Sequence, residues 1–220
     1  MVKKRRQKTE AVPSKKRVKT EESVGEKLFT SKVNDVKRCK WCESHELYIE
    51  YHDNEWGRPV YDDDKLFEMI SLEGAQAGLN WLTILKKRNG YRDVFKKFKV
   101  CIVAKFTERD IERALVNPNV IRHKGKLNSV VHNSRLILEL QRDPKYGSFS
   151  NFVWSYAPTE RRFDSHCQGN SPEAQCMSKD LKKRGFKFVG PTTCYAFMQA
   201  CGIVNDHAPH CFLFEKKHSK

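Results

Sequence analysis

The stretch from Asp62 to Arg88 constrains the fold most strongly, because its apolar residues recur at the spacing of an α-helix. These apolar positions are Leu66, Ile70, Ala77, Trp81 and Leu85. Aspartates at 62–64 can cap the start of a helix, and the basic residues at 86–88 suit its negatively polarised C-terminal end. The pattern predicts one helix, or a close pair of helices, with a buried apolar face.

Helical patterns dominate the rest of the chain as well, whereas the alternating pattern of a β-strand is scarce. The further predicted helices cover residues 107–116, 125–143, 148–157, 178–186 and 190–204. Thr107 and Asp110 are close to a capping box at the start of the first of these. Residues 158–177 have no clear pattern, and "FKFVG" (186–190) is ambiguous. The sequence therefore predicts a mainly α fold.

Positive charge is present along the whole chain of 220 residues, whose formal net charge is +15. Residues 1–20 hold nine Lys and Arg against Glu10 alone, so they contribute +8 and the remaining residues +7. A folded part that is basic in its own right fits a polyanionic partner, most simply nucleic acid. The charge alone is equally compatible with a basic protein that is merely soluble.

The first 36 residues are charged, poor in aromatic residues and without apolar periodicity, so we expect a disordered basic tail before a domain at 37–220. The tail has two basic clusters, at 3–6 and 15–19. Their spacing resembles a bipartite nuclear import signal and predicts a nuclear protein. The alternative is a basic arm that only raises the affinity for DNA.

The chain has no apolar stretch long enough to span a membrane, and its N-terminus does not resemble a secretory signal. We therefore expect a reducing compartment, in which the eight cysteines are core thiols or metal ligands rather than disulfides. His207, His210 and Cys211 are crowded near the C-terminus. They form either a polar turn or half of a metal site, and the spacing of Cys39 and Cys42 is also typical of ligands.

Glu73 lies three residues after Ile70 and four before Ala77, so a continuous helix places it on the apolar face. Buried carboxylates are usually paired, neutralised or functional. An Arg or Lys could satisfy Glu73, or Gly74 and Gly78 could break the helix and redirect it. Several aromatic residues nearby suit either a flat or cationic ligand or an ordinary core. They are Trp41, Tyr48, Tyr51, Trp56 and Trp81.

The segment 117–131 joins two predicted helices through a bend at Gly125, with Arg122, Lys124 and Lys126 beside it. This arrangement resembles a helix–hairpin–helix, in which backbone N–H groups at the start of the second helix hold a DNA phosphate. The alternative is an ordinary basic loop between helices.

Several long motifs, in order, make the part from Arg38 to Cys211 similar to the 3-methyladenine DNA glycosylase I family. The motifs are "RCKW" (38–41), "YHDNEWG" (51–57), "LFEMISLEGAQAGLNWLTILKKR" (66–88), "IRHKGK" (121–126), "LKKRGFKFVGPTTCYAFMQACGIVNDH" (181–207) and Cys211. The resemblance implies an all-α fold of the helix–hairpin–helix DNA glycosylase superfamily. It also implies one structural zinc ion that joins both ends of the domain through Cys39, His52, His207 and Cys211, with Cys42 and His210 as bystanders.

The resemblance further implies a pocket for a flipped base, with Glu73 as its acidic recognition residue. Tyr48, Tyr51 and Trp81 match the pocket aromatics, and Trp41 and Trp56 are further contributors. The implied activity is excision of 3-methyladenine from double-stranded, alkylated DNA by a monomer. The alternative is an inactive DNA-binding module of the same fold.

One departure from the superfamily predicts hydrolysis without strand cleavage. Many superfamily members use a lysine nucleophile two residues after the last glycine of the hairpin, and this chain has Leu127 there. Those members also use an aspartate further along, and the nearest one here, Asp143, is expected at the surface.

Overall fold

The structure is a computed structural model that describes residues 36–159 and 169–214. These residues belong to one compact unit, Val36–Lys220. The predicted basic tail lies outside the described residues, except for Val36.

The described residues are helical, with no β-strand in 36–159 or 169–214, so the predicted all-α class is confirmed. The α-helices are α1 (Glu46–Asn54), α2 (Asp63–Gln76), α3 (Trp81–Val94), α4 (Val100–Val103), α5 (Glu108–Val116), α6 (Lys124–Arg142), α7 (Phe149–Trp154), α8 (Pro172–Lys183) and α9 (Pro191–Ala200). Short 3₁₀ helices cover Lys40–Ser44 and Lys96–Phe98. None of the helices in this described part has the length and apolar composition needed to cross a membrane.

The segment 62–88 forms a pair of helices rather than one. The Asp62 carboxylate accepts a hydrogen bond from the Lys65 N–H (2.8 Å) and begins α2. Gly78, with a φ of +76°, lies in the turn after α2, and a positive φ of this kind favours glycine. Asn80 then caps α3 by accepting a hydrogen bond from the Thr83 N–H (2.8 Å).

The prediction for α8 was wrong at its start, which lies at Pro172 rather than residue 178. The Ser171 hydroxyl accepts a hydrogen bond from the Ala174 N–H (3.1 Å), and Pro172 occupies the first turn. These start signals lie within the segment 158–177, which has no clear pattern in the sequence. The capping box formed by Thr107 and Asp110 is present as predicted.

Helix α2 lies at the centre of the domain. It packs against α3, α6, α7 and α9, and its ten residues from 66 to 75 are all buried. A helix that is buried on every side carries even its polar residues into the interior. Both Glu68 and Glu73 are therefore buried, whereas a single apolar stripe would have placed only one face inside.

Candidate functional site

A cavity of about 200 Å³ opens beside the last turn of α2. Its walls combine three tryptophans and a tyrosine with one carboxyl and two amide groups. The residues that line it are Trp41, Tyr51, Trp56, Glu73, Gln76, Trp81, Ala196 and Gln199. Such a pocket suits a flat ring that offers hydrogen bonds at its edge.

Four of the five predicted aromatic residues line the pocket, because the ends of α1, α2 and α3 meet there. The rings of Tyr51 and Trp81 are 5.5 Å apart between centroids, and those of Trp41 and Trp56 are 5.1 Å apart. Tyr48 is placed differently, since its hydroxyl accepts a hydrogen bond from the Leu82 N–H (2.9 Å). It therefore supports the start of α3 and is not among the residues that line the pocket.

Glu73 is 6 % exposed, and no residue in the described ranges forms a hydrogen bond or ion pair with its carboxyl group. Burial raises the pKa of Glu73 to about 8. The carboxyl group is therefore mostly protonated at neutral pH when the pocket is empty. A cation in the pocket would favour its ionised form instead.

Two of the explanations considered for Glu73, a helix broken at the glycines and a basic partner for its carboxyl group, do not apply in the structure. Helix α2 continues to Gln76, beyond Gly74, so the glycine does not redirect the carboxyl group. The half-buried Arg88 nearby is already paired with Glu55 and Glu68, at 2.9 Å from its Nε to the Glu68 Oε1. Arg88 therefore holds α3 against α1 and α2, and does not pair with Glu73.

Two amides in the pocket wall were not predicted as site residues. Gln76 follows Glu73 by three residues, so the helical spacing that singled out Glu73 also indicates Gln76. Gln199 is on α9, and its amide donates to Asp206 (2.8 Å). Nothing in the local sequence indicates that α9 reaches the pocket, because its position depends on packing against α2.

The predicted hairpin lies between α5 and α6, with Arg122, Lys124 and Gly125 exposed. The ammonium group of Lys124 lies 2.5 Å from Glu108 in a solvent-exposed ion pair. The prediction that Lys126 contacts a DNA phosphate disagrees with the structure. Its side chain is buried, and its ammonium group donates to the carbonyls of Ala75 (2.8 Å) and Ala77 (2.6 Å). The Lys126 ammonium group is therefore already bonded and does not point into solvent.

Asp143, which was expected at the surface, is half-buried, and its carboxylate lies 3.4 Å from the guanidinium group of Arg184.

A second buried cluster contains two thiols and two imidazoles from the two ends of the domain. Its members are Cys39, His52, His207 and Cys211, whose ligand atoms all lie within 4.8 Å of one another. Cys39 Sγ is 3.6 Å from His207 Nδ1, and Cys211 Sγ is 3.4 Å from His52 Nε2 and 3.6 Å from His207 Nδ1. The set could hold a metal ion.

The surroundings of this cluster fit metal ligands. His52 Nδ1 is 2.8 Å from Asp53, whose carboxylate pairs with Arg38 and so orients the imidazole. Backbone N–H groups of Ala208 (3.2 Å) and Leu213 (3.5 Å) point at the two sulfurs. Burial lowers the pKa of His207 to about 4, so its ring is neutral, as a ligand must be.

The two competing ligands lie outside the cluster. Cys42 is buried, but its thiol donates to the Cys39 carbonyl (3.0 Å). His210 is exposed, with its Nε2 3.0 Å from the Arg38 carbonyl. The direction of each side chain thus separates ligand candidates that residue spacing leaves equivalent.

Solved structures similar to this chain define the class of protein. A structure of 3-methyladenine DNA glycosylase I is 47 % identical, covers 81 % of this chain and 100 % of its own, and has a TM-score of 0.76. The Staphylococcus aureus enzyme, solved for 3-methyladenine recognition, is 37 % identical over 79 % of this chain and 94 % of its own, with a TM-score of 0.74. The fold is that of an all-α DNA glycosylase. A family model described as methyladenine glycosylase matches residues 41–214, and the chain belongs to that family.

Two bacterial relatives extend the match over nearly their whole length. DNA-3-methyladenine glycosylase 1 of Escherichia coli is 47 % identical, over 80 % of this chain and 96 % of its own. The DNA-3-methyladenine glycosylase of Haemophilus influenzae is 43 % identical, over 79 % and 96 %.

Proposed function

We propose that this protein excises 3-methyladenine from alkylated double-stranded DNA by hydrolysing the N-glycosidic bond. The observation that carries the proposal is the buried Glu73, which has no partner among the described residues and lies between aromatic walls. The relatives are named for this activity, which favours the active enzyme over an inactive DNA-binding module.

The chemistry follows from the charge of the substrate. The target nucleotide must leave the duplex to reach the pocket, which costs a few kcal/mol and less for a damaged base. The methylated base is cationic while attached to the sugar, so stacking on Trp and Tyr rings favours it. Glu73 accepts a hydrogen bond from the base, and the cation favours the ionised carboxylate.

The base is already a good leaving group, because its departure removes its positive charge. The protein therefore needs to position the nucleotide and support the developing positive charge on the sugar, and water completes the reaction. No lysine is among the residues that line the described pocket, and Leu127 is fully buried in the core. These placements favour hydrolysis without a covalent intermediate.

The test is release of 3-methyladenine from duplex DNA treated with a methylating agent. The protein is expected to release the base, and Glu73→Gln to release it at least tenfold more slowly. Glu139→Gln, an exposed glutamate on α6, is the matched control and is expected to behave as the unmodified protein. Equal release by the Glu73→Gln protein would contradict the role of the carboxyl group.

We also propose that the cluster of Cys39, His52, His207 and Cys211 holds one structural zinc ion. A tetrahedral site with Zn–S bonds of about 2.3 Å and Zn–N bonds of about 2.0–2.1 Å has N···S edges of about 3.5 Å. Three of the four N···S distances, those of 3.4–3.6 Å from Cys39 to His207 and from Cys211 to His52 and His207, match this value. When bound, the ion supplies stability by joining the two ends of the domain, and takes no part in the chemistry.

We propose that the protein binds the DNA backbone through Arg122, Lys124 and the backbone at Gly125, which contact phosphates. They are exposed together at the start of α6. Such contacts position the duplex without reading its sequence. We further propose that the protein acts as a monomer. Light scattering on the purified protein tests this, and a mass of 25.7 kDa is expected.

Nuclear localisation is proposed on the two basic clusters at 3–6 and 15–19 alone. The bacterial relatives do not support it. A fluorescent protein fused to residues 1–36 is expected to accumulate in the nucleus of a eukaryotic cell. The same fusion with alanines at 15–19 is the control, and equal distribution of both would contradict the proposal.

A further inference from the structure

Lys126 is a buried lysine that the proposed mechanism does not use. It is 8 % exposed, and no carboxylate among the described residues pairs with it. Its ammonium group donates instead to two carbonyls, those of Ala75 (2.8 Å) and Ala77 (2.6 Å). A buried ammonium group is retained only where such partners replace its water.

The two carbonyls lie at the C-terminal end of α2, where helix carbonyls have no partner within the helix and a cation is favoured. This end of α2 is also one wall of the pocket. Glu73 is in its last turn, Gln76 lies between the two bound carbonyls, and the turn at 77–80 leads directly to Trp81. Lys126 thus holds the backbone from which three pocket side chains project.

The backbone of Lys126 belongs to the other proposed surface. It is the third residue of α6, and its N–H donates to the His123 ring (3.2 Å), which caps the helix. Gly125 and the exposed Lys124 precede it directly. Lys126 therefore connects the start of α6, through its backbone, to the end of α2, through its side chain.

A second contact joins the same two regions. The Phe188 ring meets the His123 ring at 6.3 Å between centroids. A side-chain carbon added at Gly74 would lie 3.1 Å from Cβ of Phe188. Phe188 has a φ of +57°, a left-handed conformation that is uncommon for a residue with a side chain. The side-chain amide of Asn133 holds the neighbouring Lys187, since it donates to the Lys187 carbonyl (3.0 Å) and accepts from the Lys187 N–H (2.9 Å).

We propose that Lys126 is a positioning residue that ties the phosphate-binding start of α6 to the turn after α2, and so fixes the pocket wall while DNA is bound. This role rests on the proposed function, because it assumes that DNA engages the start of α6. It assigns Lys126 no contact with DNA or with the base.

The test compares Lys126→Met, which keeps the apolar stem and removes the ammonium group, with Lys124→Met two residues earlier. For Lys126→Met we expect the rate of base release at saturating methylated duplex to fall at least tenfold, while the affinity for undamaged duplex changes less than threefold. For Lys124→Met we expect weaker binding of the duplex. Lys105→Met, at an exposed lysine before α5, is expected to match the unmodified protein in both measurements.

Hydrogen exchange separates positioning from general destabilisation. In Lys126→Met the amides of Ala77 and Leu79, bonded to the carbonyls of Gly74 and Gln76, should exchange faster while the core of α6 stays protected. Lys126→Gln, which keeps a shorter donor, replaces the methionine variant if that protein does not fold. An unchanged rate at saturating duplex, or faster exchange throughout the domain, would overturn the proposal. Absence of base release by the unmodified protein would instead refute the proposed function, while the exchange measurement would still test Lys126.

Discussion

The ring of Trp56 lies edge-on to the imidazole of His207, with centroids 4.7 Å apart and planes at 84°. Trp56 lines the base pocket, and His207 belongs to the cysteine and histidine cluster. The cluster therefore supports one wall of the pocket through a direct ring contact. A change that disturbs the cluster should reach the pocket by this route.

The first prediction concerns metal content. The purified protein should contain one zinc ion per chain, and His207→Ala should lose it, with a loss of stability on the order of several kcal/mol. Elemental analysis and thermal unfolding measure both effects. His210→Ala is the control, since that exposed ring lies outside the cluster, and it should keep the ion. Full zinc occupancy in His207→Ala would refute the assignment.

The second prediction concerns pH. The pKa of Glu73 is about 8 in the folded protein, above the ordinary value of 4.5, so the folded state binds the proton more tightly. The associated stability is complete below about pH 4.5 and is lost as the pH rises through 8, a change on the order of several kcal/mol. Between pH 6 and 9 Glu73→Gln should lose less stability than the unmodified protein. Denaturant unfolding at several pH values measures this, with Glu139→Gln as the control, and equal pH dependence of all three proteins would contradict it.

The third prediction concerns Gly57, which has a φ of +77°. A side-chain carbon at this position would lie 2.6 Å from Nε2 of His207, so Gly57→Ala should displace that ring and release the proposed zinc ion. Gly147→Ala is a matched control, because its φ is +67° and nothing lies within 4 Å of the added carbon. Both variants should lose about 1–2 kcal/mol to backbone strain. Retention of zinc by Gly57→Ala would argue against the predicted ring displacement.

The fourth prediction concerns the reaction product. Borohydride added during base release should trap no covalent complex between this protein and DNA, since Leu127 occupies the nucleophile position and Lys126 is bonded to backbone carbonyls. A glycosylase with a lysine nucleophile is the positive control. A trapped adduct would mean that the chain uses an amine that the described pocket does not contain.

The fifth prediction concerns salt. Arg122 is exposed beside the hairpin, so Arg122→Met should weaken duplex binding uniformly across sequences. The slope of log affinity against log salt concentration should become less steep by about 0.9, the contribution of one phosphate contact. Lys105→Met should keep the original slope. A slope unchanged by Arg122→Met would place the phosphate contacts elsewhere.

The local pattern predicted most helices because a helix is specified by neighbours three or four residues apart. The pair at 62–88 and the capping box at Thr107 follow from such spacing. Helix α1 was not predicted, since Glu46–Asn54 is mostly polar and aromatic and lacks a clear apolar stripe. The start of α8 was missed because its signals, Ser171 and Pro172, are two residues in an unpatterned segment.

The sequence by itself determined the helical class, the basic character and the place of Glu73 among the apolar positions of its helix, because each depends on composition or on spacing within one helix. It could not decide the direction of the Lys126 side chain. The same position can bind a phosphate or the carbonyls at the end of α2, and the packing of α6 against α2 decides between them. Nor could spacing choose His207 over His210, three residues apart, because only the folded chain brings one of them to Cys39. Contacts between residues more than 150 positions apart are set by tertiary packing, which excludes the competing side chains by direction and distance.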